Sequence, residues 1–152
     1  MYPTLLVLHS VFRWLVLLSL GYALFRAYRG VATNGVFTPT DNSVRHWTAT
    51  IAHVQLLIGF TLYFNSPLIK TFFAHIRQAS GQSVFFGVAH IGLMLTAIVL
   101  ITIGSALAKR RPTDAEKFRT MLVWFSVSLA LIFLAIPWPF SPFANRPYIR
   151  LY

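Results

Sequence analysis

Three histidines lie inside apolar runs of this chain: His9, His53 and His90. An ionisable side chain is costly to place within a membrane-length apolar segment, so each is a candidate for function. Imidazole offers two roles in such a setting. Histidines on facing helices can ligate one haem iron through their unprotonated ring nitrogens, or each can simply hydrogen-bond a neighbouring helix. Around His90 the run 85–95 reads Phe-Phe-Gly-Val-Ala-His-Ile-Gly-Leu-Met-Leu. Its Gly87 and Gly92 would let a neighbouring helix or a flat ligand come close. Arg13 lies one turn after His9 on the same face, where it can neutralise a haem propionate or snorkel outward. Met94 lies one turn past His90 and can ligate iron or fill the core. His46 precedes His53 by a heptad but has no evident partner ligand, and His75 falls in a polar surface segment.

Other chemistries are poorly supplied. The acidic residues are three, Asp41, Asp114 and Glu116, and all fall at expected helix starts. Carboxylate proton relays, di-iron carboxylate sites and paired-carboxylate hydrolysis therefore have no residues to run on. The absence of cysteine removes thiolate metal sites, thiol catalysis and covalent haem attachment. No phosphate-cradling glycine motif occurs. The net charge of +10 is carried at the edges of apolar runs, which is a topogenic pattern and not a nucleic-acid footprint.

The elements that must position the histidines follow from hydropathy. The chain is 57% hydrophobic and 11% charged, against about 25% charged in soluble domains. Apolar runs over 5–28, 44–64, 83–108 and 114–136 each suffice to cross a ~30 Å hydrocarbon core at about 1.5 Å per residue. The first is expected to be a retained helix and not a cleaved signal, because no basic region precedes it. Asp41 or Ser43 can cap the second helix, and Thr113-Asp114-Ala115-Glu116 forms a capping box for the last. Between the second and third runs, 68–78 has Ile69, Phe72, Phe73 and Ile76 at helical spacing with Lys70, His75 and Arg77 opposite. It reads as a short interfacial amphipathic helix. After Pro137-Trp138-Pro139, the tail to Tyr152 is rich in aromatics, Pro and Arg and is expected to lie along the interface. The expected fold is thus all-α: one transmembrane domain over 1–152, an integral-membrane four-helix up-down-up-down bundle.

Basic residues set the expected orientation. Eight (Arg26, Arg29, Arg45, Lys109, Arg110, Arg111, Lys117 and Arg119) lie by the loops after the first and third helices, against four (Lys70, Arg77, Arg146 and Arg150) on the other side. The positive-inside rule then puts both termini outside. Counting residues from the helix ends places His9 roughly 6 Å and His90 roughly 10 Å below the outer boundary, but His53 about 16–18 Å below it. His9 and His90 are therefore level, on helices that are diagonal in an up-down bundle, and form the expected ligand pair.

The motifs as a set resemble a known group. His9-Ser10 with Arg13-Trp14, His53-x-Gln55 with Gly59 and Leu62-Tyr63-Phe64, His90 with Met94, and Ile136-Pro137-Trp138-Pro139-Phe140 are similar to those of short bacterial membrane proteins labelled cytochrome b-like, over nearly the whole chain. Where that group often has an acidic residue before the third-helix histidine, this chain has Ala89. The resemblance implies His9, His53 and His90 as haem-linked positions, haem b as cofactor, and a bacterial inner-membrane location. It also implies electron transfer with a membrane donor such as a quinol. The rival expectation is a haem-free accessory subunit that scaffolds a larger membrane complex through its lipid-embedded helices.

Overall fold

The computed structural model describes residues 1–142, 144 and 146–149. Arg150 and Tyr152, at the end of the expected interfacial tail, lie outside the described residues. Among the described residues the protein is all-helical. Its helices are α1 (Tyr2–Ala32), α2 (Pro39–Asn65), the short α3 (Pro67–Ala74), α4 (Gln82–Arg110) and α5 (Asp114–Ala135). Four of them, α1, α2, α4 and α5, are long and apolar enough to cross a membrane.

Local chemistry explains most boundaries. α2 begins a turn earlier than expected, because Thr38-Pro39-Thr40-Asp41 is itself a capping box with proline at the first helical position. The Thr38 hydroxyl accepts from the Asp41 N–H, and the Asp41 carboxylate accepts from the Thr38 N–H at 2.9 Å. Asp41 is thus not the cap but the reciprocal partner of one. The expected box at Thr113 and Glu116 forms in the same way. The amphipathic segment is helical only to Ala74 and continues as a single 3-10 turn over Ile76–Gln78. Ile69 and Phe72 are buried against the bundle, whereas Phe73 and Ile76 are exposed.

α1 packs against α2 and α5, and α4 packs against the same two, so α1 and α4 face each other across the bundle. The core is made of alternating small and large residues. Ala23, Ala27, Ala97 and Ala108 lie beside Leu20, Ile101, Met121 and Phe125, all fully buried. Alanine and glycine let the backbones approach closely. At Gly104 an added Cβ would fall 2.3 Å from Trp124 Cβ of α5. The outward faces are apolar too: Leu18, Leu57, Val123 and Leu134 are 61–69% exposed. Helices apolar all round belong in lipid or in the middle of a larger protein. One end of the bundle holds the acidic residues, each with a partner: Asp41 with Arg26 at 2.8 Å, Asp114 with Lys117 at 3.3 Å, and Glu116 at the Thr113 cap.

Candidate functional site

His90 is set by two breaks in regular helix. The first is in α4 itself, where Phe85–Ala89 winds as a π turn and the His90 N–H reaches the Phe85 carbonyl. Such single wide turns favour functional positions. This one is clamped from outside: the Tyr63 hydroxyl donates to the Gly87 carbonyl at 2.8 Å, and Phe72 of α3 lies so close that a Cβ on Gly87 would be 2.8 Å from its ring.

The second break is at the end of α5. The carbonyls of Phe133 and Ala135 would ordinarily accept from residues 137 and 139, but both are proline and have no N–H. Trp138 Nε1 donates to the Phe133 carbonyl at 2.8 Å, and His90 Nδ1 donates to the Ala135 carbonyl at 2.8 Å. A carbonyl can only accept, so Nδ1 carries the proton and Nε2 keeps its lone pair.

His9 faces this ring from α1. The two imidazole centroids are 6.5 Å apart, with planes at 64°. Gln55 of α2 donates its amide to the His9 carbonyl at 3.0 Å, and the same nitrogen is 3.3 Å from His9 Nε2. His9 Nδ1 and the Gln55 amide oxygen are both buried with no partner. Gly59, one turn beyond Gln55, makes room for the ring: a Cβ there would lie 3.3 Å from His9 Cε1. Phe85 and Phe86 flank His90 at 5.8 and 5.7 Å.

The rings border a cavity of about 210 Å³, lined also by Arg13, Gln55, Met94 and Arg146. Arg13 donates to the Tyr148 carbonyl and to Ser10 Oγ, while its buried Nε has no partner. Trp14 Nε1 donates to the same Tyr148 carbonyl at 3.0 Å. The tail thus folds back over α1 and the cavity. It brings Arg146 to Gln82 at 3.0 Å and over the Phe86 ring at 5.3 Å. Among the described residues no carboxylate lines this cavity.

Comparison with family models, with curated proteins and with solved structures finds no match.

His9, His90, Arg13 and Met94 line one cavity, but His53 does not join them. Its Nε2 is 2.9 Å from Thr102 Oγ1 in a separate groove. Thr102 lies about 18 Å along α4 from His90 at 1.5 Å per residue. Of the two glycines beside His90, Gly87 admits a neighbouring helix as expected, through Phe72 of α3, whereas Gly92 is exposed with nothing near its missing Cβ.

The small residue that matters to the pair is Gly59. It and Gln55 stand one turn apart on α2, a spacing visible in the sequence. The return of Arg146 has no sequence signal, since nothing periodic marks the tail. Among the described residues no group of three or more His, Asp or Glu could hold a bare metal ion. Two imidazoles are a sufficient protein donor set for a metal whose remaining positions are filled by a macrocycle.

Proposed function

We propose that the protein is a membrane-embedded b-type cytochrome that holds haem b between His9 and His90 and passes single electrons. The observation that supports this most is the 6.5 Å separation of the two imidazole centroids on opposite helices. Two metal–nitrogen bonds of about 2 Å, extended to the ring centres, place axial imidazoles roughly 6 Å apart. The donor chemistry fits as well. His90 keeps Nε2 uncommitted because its Nδ1–H is held by Ala135, a partner of the kind that orients ligating histidines. His9 contributes the orphaned Nδ1.

Bound there, haem supplies one-electron chemistry. The residues of the chain hold it, exclude water and tune it through axial ligation and a dry setting. Arg13 and Arg146, in a cavity that no described carboxylate lines, would supply positive charge for the two propionates. Met94 lines the same cavity one turn from His90 and would pack against the bound group. His53 takes no part.

The bundle is up-down-up-down, crossing a bacterial inner membrane with both termini outside. The eight-to-four distribution of basic residues supports that sense. A quinol in the bilayer is the donor class for a haem held between membrane-spanning helices. One observation favours the rival, a haem-free subunit of a larger membrane complex: the cavity of about 210 Å³ is below the roughly 300–1,000 Å³ of ordinary ligand pockets. The visible spectrum of the purified protein, oxidised and reduced, separates the two. Paired haem bands that vanish in His9→Ala and His90→Ala and persist in His53→Ala support the cytochrome. No haem after expression with haem supplied favours the subunit.

A further inference from the structure

A second cavity, about 290 Å³, lies between α2 and α4 near the basic end of the bundle. It is lined by Arg45, His46, His53, Thr102, Ser105 and Lys109, with no carboxylate among the described residues. Arg45 is only 5% exposed. Its guanidinium donates to Asn42 Oδ1 at 2.8 and 3.1 Å, to the Ser105 carbonyl at 3.0 Å and to Ser105 Oγ. Every one of these acceptors is neutral. The nearest acid in sequence, Asp41, is engaged by Arg26 at 2.8 Å. A buried cation on neutral partners inside a bundle is costly until a counter-charge joins it. Across the groove Lys109 is exposed, and no described residue pairs with it.

We propose that this groove binds a phosphate group, supplied by the head of an anionic phospholipid. Lys109 and His46 contact the phosphate at the interface, Arg45 neutralises it from within, and the buried Ser105 offers its hydroxyl. A lipid is the source because the groove lies between two helices of membrane-spanning length. Beyond its polar floor the walls turn apolar, with Leu57 a turn past His53 and Val99 a turn before Thr102, both more than half exposed. Acyl chains have a track there that free phosphate does not need. Basic pockets between membrane helices recognise anionic headgroups by this chemistry.

The test uses the full chain in nanodiscs of phosphatidylcholine doped with phosphatidylglycerol. Native mass spectrometry reads the lipid retained on release. The expected result is selective retention of phosphatidylglycerol. Lys109→Ala should weaken it roughly fivefold, the worth of one basic residue at an anionic headgroup. Arg45→Gln should weaken it further. Arg110→Ala, at the same helix end but outside the groove, should leave it unchanged. Lys109 makes no contact that folding depends on, so its variant decides the matter even if Arg45→Gln misfolds. Equal losses in Lys109→Ala and Arg110→Ala would mean diffuse surface attraction and overturn the site. Displacement of the lipid by inorganic phosphate would overturn the lipid as its ligand. Neither outcome touches the histidine pair.

Discussion

Replacing His90 by alanine separates a ligand from a structural hydrogen-bonding group, because the two roles differ greatly in size. Structurally, His90→Ala removes one hydrogen bond, 2.8 Å to the Ala135 carbonyl, and ring contacts with His9, Phe85 and Phe86. Hydrogen bonds between membrane helices average about 0.6 kcal/mol. With the lost packing the total is about 1–3 kcal/mol, within the roughly 5–15 kcal/mol stability of a folded domain. At about 2–4 °C per kcal/mol, the melting temperature should fall by roughly 2–12 °C, with helicity intact.

Haem retention should respond on another scale. Losing a group that merely orients a ligating histidine costs about 10–100-fold in affinity, and losing the ligand itself costs more. Circular dichroism during heating and the ratio of haem to protein absorbance, on the same preparation, read the two effects side by side. The expected result is a folded, colourless protein. His53→Ala, which loses only its contact with Thr102 at 2.9 Å, should stay coloured. If His90→Ala or His9→Ala keeps full haem content while His53→Ala loses it, the pairing of His9 with His90 is wrong.

Three further outcomes follow from the geometry. Gly59→Val places branched carbon where even a Cβ is 3.3 Å from His9. It should lower haem content in the purified protein, while Gly92→Ala, which meets nothing, leaves it unchanged. Gly104→Ala drives a Cβ to 2.3 Å from Trp124 and should destabilise the α4–α5 contact by about 1–3 kcal/mol, the usual cost of overpacking; unchanged thermal melting in detergent would count against that close approach. Reporter fusions after Arg111 and after Tyr152 should report opposite sides of the membrane, with Arg111 inside; finding Arg111 outside would reverse the orientation.

Sequence alone determined what is local. The four spanning-length helices follow from apolar runs, since hydropathy is a property of each segment and needs no partner. The Thr113 cap follows from two residues three apart, and so would the Thr38 cap, which the same signature predicts one turn ahead of the apolar run. Even the level of His9 with His90 was legible, because helix rise is fixed and depth is counted along one axis. Rotation about that axis is another matter. Each residue turns the side chain by about 100°, so which face meets which neighbour depends on packing among all the helices at once.

Only the tertiary structure therefore decided that Gln55 serves His9, that Gly59 and not Gly87 gives the ring its room, and that His53 turns to Thr102. It also decided the fate of the proline-freed carbonyls. The sequence shows that Phe133 and Ala135 must look for donors, but Trp138 became one by turning back over five residues and His90 the other where the end of α5 meets the wide turn of α4. The tail has neither period nor cap to read. Its return over Arg13 and the cavity is fixed by long-range contacts, among them two donors, Arg13 and Trp14, that converge on one Tyr148 carbonyl.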